Sequence, residues 1–347
     1  MKKFLAVLLC LILTLSAVSC GEDTNWIAKK DGETVPAGIY LYYLITAKSE
    51  AQSKIDKDAD LFKSQVEGKD AETWIKDRAL ELVKQHVAVE DVFEENKLKL
   101  SQDDTDYLDY YAEYMWYYLE QNYLDSGISK ASMTEVLYNT SKYEAVFEYL
   151  YGKDGPKAIP QEELDKYFTE NAARIHAITF SIVDKDNKTL TGDALKEVED
   201  KANSYYERLK NGEDILVLAD EYHASLEETT EETTSSEETT DTEPDPNRHQ
   251  AIIIKSNSSL KEENTKKLFE LKYGENVMFT DASQIVIAVR LDMLEDKDAC
   301  ENYTPTAMSE LKGEEYEEYV KELTSKVELE VNEKAVNRYS PKKVKVF

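Results

Sequence analysis

The sequence predicts an α+β protein, in which a mainly helical domain built from both ends of the chain carries an inserted small α/β domain. Three observations lead there. Up to residue 151, long stretches repeat apolar residues at the three- and four-residue spacing of one helix face. From Ile175 to Arg290, β-rich runs such as Ile285-Val286-Ile287-Ala288-Val289 alternate with helical stripes. Beyond Asp292 the tyrosine-rich amphipathic style of the first stretch returns, so this last segment is expected to pack back onto the first domain.

Composition narrows the function. The chain has 347 residues, enough for roughly two domains. Hydrophobic residues make up 41% and 23 are tyrosines, too much large apolar surface for a disordered polyanion. Asp and Glu number 71 against 42 Lys and Arg, a net charge of −29. Nucleic-acid binding draws its affinity from clustered Lys and Arg, so it is excluded as the main role. Broad contact with an anionic membrane surface is disfavoured for the same reason.

The first elements concern targeting. Met1-Lys2-Lys3 is a short basic start, followed by an apolar run from Phe4 to Val18 that is too short to span a bilayer. Small residues then lead into Cys20, and the segment resembles a bacterial lipoprotein signal, with residues 1–19 removed and Cys20 carrying lipid. An ordinary secretory signal cleaved nearby is the alternative. Two acyl chains would hold the protein on the extracytoplasmic face of a bacterial cell membrane without a spanning helix. Cys10 leaves with the signal, so Cys300 stands alone and no disulfide framework exists.

Residues 20–158 follow as the first helical domain. Trp26 to Pro36 reads as two short extended pieces around an Asp31-Gly32 turn, and a helix starts after Pro36. From Asp70 to about Asn96, the positions Ile75, Ala79, Leu82, His86, Val89 and Phe93 form one face, which makes His86 a packing histidine. Ser101 with Asp104 predicts a helix cap, and the helix to about Asp125 is crowded with tyrosine. Its rings fit either a helical core with wet edges or a surface that receives greasy polypeptide. For the second role the candidates are Tyr110, Tyr111, Tyr114, Met115, Trp116 and Tyr118. Another helix runs from Ser129 to Tyr151, ahead of a Gly-rich break.

Residues 159–292 form the inserted domain. A helix from Pro160 precedes a strand over Ile175–Val183, and a helix over Asp193–Asn211 closes at Gly212. A short helix over Ile215–Tyr222, a strand at Ala251–Lys255, a helix at Glu262–Leu271, a turn at Gly274 and a last strand at Gln284–Arg290 complete it. Within it, residues 225–248 are an acidic low-complexity insert with nine acids between Glu227 and Asn247, which reads as a disordered, solvated loop. His223 and His249 flank that loop without recognisable partners. Residues 293–347 supply a helix from about Thr304 to Lys326 and a tail.

Together, Cys20, the Trp26-Ile27-Ala28-Lys29-Lys30-Asp31-Gly32-Glu33 opening, Pro36 and Tyr40, the tyrosine-rich helices and the α/β insert resemble the PrsA/SurA-type foldase lipoproteins. That resemblance implies a SurA-N-like chaperone domain of both termini around a parvulin-like prolyl isomerase domain. The parvulin likeness rests on Ile178-Thr179-Phe180-Ser181, Ala202 to Leu209 with Gly212-Glu213-Asp214, Leu218-Ala219-Asp220-Glu221-Tyr222, Leu268 to Glu275, and the final Ile-Val-Ile-Ala-Val strand. It implies a His on the first strand, a His on the last and a Met/Phe proline pocket. Here Ala177 stands at the first position with His176 one residue away, Ile285 replaces the second His, and Leu260 replaces the Met. Phe269 alone matches the pocket, and His176 is the remaining catalytic candidate.

The expected function is therefore a lipid-anchored extracytoplasmic foldase or chaperone that binds unfolded, newly exported polypeptides, with a catalytically degenerate parvulin domain. The alternatives are an active prolyl cis–trans isomerase around His176 and Phe269, and a solute-binding lipoprotein. No His-Glu-x-x-His spacing or phosphate-binding glycine loop is present, so neither metal nor cofactor is expected. Oligomeric state is left open.

Overall fold

In the computed structural model, residues 24–227, 245 and 247–346 are described. Residues 1–19, the lipidation position Cys20 and most of the acidic insert lie outside them. The chain divides into two units: Met1–Ala158 with Gly313–Phe347, and Ile159–Lys312. The inserted unit thus ends at Lys312 and not at Asp292.

The first unit opens with a small sheet. Strands β1 (Trp26–Lys30) and β2 (Glu33–Pro36) form a hairpin through Asp31 and Gly32, both with positive φ. Helix α1 (Ala37–Ser53) follows directly, and after a short β3–β4 hairpin (Gln65–Val66, Lys69–Asp70) comes α2 (Ala71–Glu95), capped by the Asp70 carboxylate accepting from Thr73 N at 3.0 Å. Helix α3 (Gln102–Asp125) begins at a full capping box between Ser101 and Asp104, as its sequence requires. Helix α4 (Lys130–Tyr151) is capped by Ser129. Their apolar faces share one core, built around Tyr40, Leu44, Trp74, Ile75, Tyr123 and Met133.

The end of the chain completes this core. Strand β9 (Glu330–Val331) adds to β1 antiparallel, pairing Ala28 with Val331 and Lys29 with Glu330. Asn332 then holds three groups at once. Its backbone N–H donates to Ile27 O at 2.8 Å, its Nδ2 donates to Trp26 O at 3.0 Å, and its Oδ1 caps helix α10 (Glu333–Arg338) at Ala335 N. Ala335, Val336 and Val344 enter the core.

The inserted unit has one antiparallel four-stranded sheet in the order β6-β5-β8-β7. Helix α5 (Gln161–Asn171) runs into β5 (Ala172–Ser181); α6 (Gly192–Lys210) and α7 (Ile215–Glu227) follow, then β6 (Gln250–Ile254), α8 (Glu262–Glu270), β7 (Asn276–Thr280) and β8 (Gln284–Leu291). The first strand therefore starts three residues before Ile175, because Ala172–Arg174 pair with Ile254–Ile252. Strand β7 is absent from the sequence reading: Val277, Met278 and Phe279 form too short a run to stand out beside the Gly274 turn. Helices α6 and α7 pack one sheet face through Ala202, Tyr205, Leu218 and Tyr222. Leu268 of α8 packs the other with Phe279 and Val286.

Helix α9 covers Lys297–Lys326 and contains the division at Lys312. It starts seven residues before the expected Thr304. Asp296 accepts from Ala299 N at 2.9 Å and so caps it early, while Pro305 is tolerated inside at the expense of one backbone hydrogen bond. On the portion belonging to the first unit, Tyr316 is buried among Tyr143, Phe147 and Tyr151, and its hydroxyl donates to Tyr143 O at 2.6 Å. Tyr316→Ala should cost about 3–5 kcal/mol in urea unfolding of the first unit, as for other buried aromatic truncations. Tyr316→Phe should cost only about 1 kcal/mol, the hydroxyl's share.

Candidate functional site

Helix α3 carries the feature that packing leaves over. Leu108, Ala112, Met115, Trp116, Leu119 and Tyr123 recur at helical spacing and face the core. The opposite side presents Tyr107, Tyr110, Tyr114, Tyr117 and Tyr118, with exposures of 63, 68, 46, 80 and 64%. Tyr111 is half-buried at the edge. These rings support one another: Tyr107 stacks on Tyr111 at 6.0 Å between centroids, Tyr111 on Tyr114 at 6.5 Å, and Tyr114 meets Tyr118 at 4.7 Å. A continuous aromatic strip this exposed is unusual on a protein surface, which makes it the candidate contact surface of the described residues.

Of the sequence candidates, Tyr110, Tyr111, Tyr114 and Tyr118 are brought together here. Met115 and Trp116 are not, since both turn inward against the core, where Trp116 stacks on Tyr123 at 6.0 Å. Tyr107 and Tyr117 complete the strip and were missed by the sequence reading. Their spacing of three and seven from Tyr110 and Tyr114 was the available signal.

The inserted unit places its two candidates on opposite sides of the sheet. Along β5, Ala173, Ile175 and Ala177 join the cluster that also holds Leu260 and Phe269. Ile178 and Phe180 face α6 and α7, and His176 shares their parity. His176 is buried, opposite Val289 of β8 and Gln250 of β6. His176 and Phe269 therefore do not form one site, and the partners of Phe269 within its cluster, Ala177, Ile253, Leu260, Leu271 and Val277, carry no group able to move a proton. The Phe269 ring instead lies between Lys255 and Arg290, at 5.5 and 5.4 Å. Arg290 donates to the Phe269 and Leu271 carbonyls, closing the end of α8.

Two residues along β5 on the His176 face, the Arg174 guanidinium bonds Gln250 Oε1 at 2.8 Å and Asn247 Oδ1 at 2.9 Å, and lies 3.4 Å from Asp296. The backbone N–H of Ala299 holds the Asp296 carboxyl below its usual range against the opposing effect of burial, with help from Gln250 and Arg174. This network is structural. His223 and His249 do have partners: their rings stack at 4.7 Å, and His249 Nε2 lies 2.8 Å from Asp220. Arg248, which also bonds that carboxylate, is the main cause of its fall to about 2. Among the described residues no group of three or more His, Cys, Asp or Glu could hold a metal ion. Cys300 donates to Met293 O at 3.3 Å, and burial pushes its thiol up.

His86 is buried in the first unit as a packing residue, its Nδ1 3.1 Å from the Tyr43 hydroxyl. Burial pulls its pKa down to about 4; Glu90 opposes this and Lys142 adds to it. Above the unfolded value of about 6.5 the ring is neutral in both states and contributes nothing to pH dependence. Between 6.5 and 4 only the unfolded chain takes the proton, so stability falls across that window, by up to about 3 kcal/mol. In urea titrations from pH 7 to pH 4, His86→Gln should lose visibly less stability than the unsubstituted chain.

No protein-family model and no curated protein matches the chain. Among solved structures it is similar to foldase protein PrsA from Streptococcus pneumoniae, at 16% identity over 82% of this chain and 97% of that one, TM-score 0.37. It is also similar to foldase protein PrsA from Lactococcus lactis, at 14% identity over 89% and 96% with TM-score 0.38, and to PrsA from Bacillus subtilis, at 17% over 89% and 95% with TM-score 0.30. These superpositions are too loose to transfer the role of any residue.

Proposed function

We propose that this chain is a foldase-type chaperone, lipid-anchored at Cys20 on the extracytoplasmic face of a bacterial membrane, which holds exposed apolar segments of newly exported polypeptides. The observation that carries the reading is the tyrosine strip of α3, a rigid aromatic surface on a helix whose other side is fixed in the core. Covering one such ring returns about 2 kcal/mol, from which the ordering of the bound segment is subtracted. Several rings used a few at a time give weak, reversible holding, the regime a chaperone needs to release its client. The phenolic tips keep the empty strip wetted. The membrane anchor rests on the sequence pattern at residues 1–20.

In this reading the inserted unit is a parvulin-like scaffold without isomerase machinery. Its support is the separation of His176 from Phe269 by the thickness of the sheet, together with apolar Ala177 on the Phe269 side. A barrier of about 18–20 kcal/mol to amide rotation is not lowered appreciably by an apolar surface alone.

The test is aggregation suppression of an unfolded secreted protein by the chain from Gly21 onward. Tyr107→Ser, Tyr110→Ser, Tyr114→Ser and Tyr117→Ser combined should weaken suppression several-fold. Each change is at an exposed position, so the urea midpoint should move little, within about 0.5 kcal/mol per site. Suppression unchanged by the fourfold substitution would refute the assignment of the strip.

A further inference from the structure

The strip does not stand on a neutral helix. Between Gln102 and Asp125 the sequence has seven acids, Asp103, Asp104, Asp106, Asp109, Glu113, Glu120 and Asp125, and neither Lys nor Arg. Two are engaged in ion pairs, Glu113 with Lys130 and Asp125 with Lys345, and Asp104 is spent on the cap. Asp103, Asp106 and Glu120 are exposed and stand three or four residues from exposed rings: Asp103 before Tyr107, Asp106 before Tyr110, and Glu120 after Tyr117. At that spacing on a helix, side chains are neighbours, with Cβ atoms about 5–6 Å apart. Among the described residues, none of these three carboxylates has a Lys or Arg partner; Asp106 accepts only the amide of Gln102.

Aromatic faces with unpaired carboxylates beside them, on a helix without Lys or Arg, complement one kind of ligand. A Lys or Arg side chain can lay its apolar stem on a tyrosine ring, direct its charge at the ring face, and meet a carboxylate one helical turn away. Acidic segments meet repulsion from the same groups, reinforced by the net charge of −29. We infer that the α3 strip selects polypeptide segments in which aromatic or aliphatic residues are interspersed with Lys and Arg, and rejects equally apolar segments that are acidic. The inference rests on the holding function proposed above and specifies its substrate class.

The experiment uses the chain from Gly21 onward and three fluorescent peptides of one apolar sequence, carrying Lys, Gln or Glu at the same four positions. Binding is read by anisotropy at low and at physiological ionic strength. The Lys peptide should bind about tenfold more tightly than the Gln peptide, the value expected from a cation–ring contact together with one or two partly screened carboxylate pairs, and the Glu peptide weakest of all. Raising the ionic strength should narrow the gap. A variant combining Asp103→Asn, Asp106→Asn and Glu120→Gln should narrow it to the share carried by the rings while leaving the Gln peptide's affinity in place. Equal affinity for the Lys and Gln peptides overturns the selectivity and leaves the strip as a holding surface. A gap that the amide variant leaves undiminished overturns its assignment to α3. Failure of all three peptides to bind removes both readings.

Discussion

One residue near the end of the chain ties the first unit together. Asn332 joins the last strand to the first through Ile27 and Trp26 and, with its remaining oxygen, starts the terminal helix. Buried at such a junction, an amide is worth more than its individual bonds, because each group it satisfies would otherwise be left unpaired away from water. The pairing closes a loop of about three hundred residues. Closure entropy grows only with the logarithm of loop length, so the whole inserted unit adds little to its cost. The core can therefore draw on Ala335, Val336 and Val344 as if they were local.

With that core complete, the role of α3 follows from what remains. One side of the helix is fixed by Leu108, Ala112, Trp116 and Tyr123, and the other has no equivalent partner among the described residues of its own unit. In the inserted unit, by contrast, both faces of the sheet are spent on packing: Phe180, Tyr205 and Tyr222 on one, and Leu268, Phe279 and Val286 on the other. Its polar interior groups, Arg174 with Asp296 and Asn264 with Asp281, hold turns and helix ends. Exposed aromatic surface and buried charged groups are thus unevenly shared, the first mostly in the helical unit and the second in the inserted one.

Much of this was legible in the sequence. Periodicity located the helices because each buries one stripe, and caps such as Asp70, Ser101 and Ser129 set their starts. The return of the C-terminal segment was readable from its tyrosine-rich pattern. Strand β7 was not, since a five-residue edge strand with partly exposed residues gives no contrast of its own. The start of α9 was misplaced because Pro305 is a stronger local signal than the aspartate that caps the helix eight residues before Thr304. In the tyrosine strip, composition identified the region, yet only the turn of the helix separates Trp116 and Met115, which face the core, from Tyr107 and Tyr117, which do not. On β5 the same issue arises with period two: a shift of one residue decides which face a side chain serves.

The β2-β1-β9 order also sets a timetable. β1 is the central strand, and the edge it offers to β9 is filled by residues 330 and 331 of a 347-residue chain. A chain that emerges from its amino end must keep that edge open until residue 331 has appeared. The helical unit is begun before the inserted unit and finished after it, while the inserted unit, contiguous in sequence, can settle in the interval.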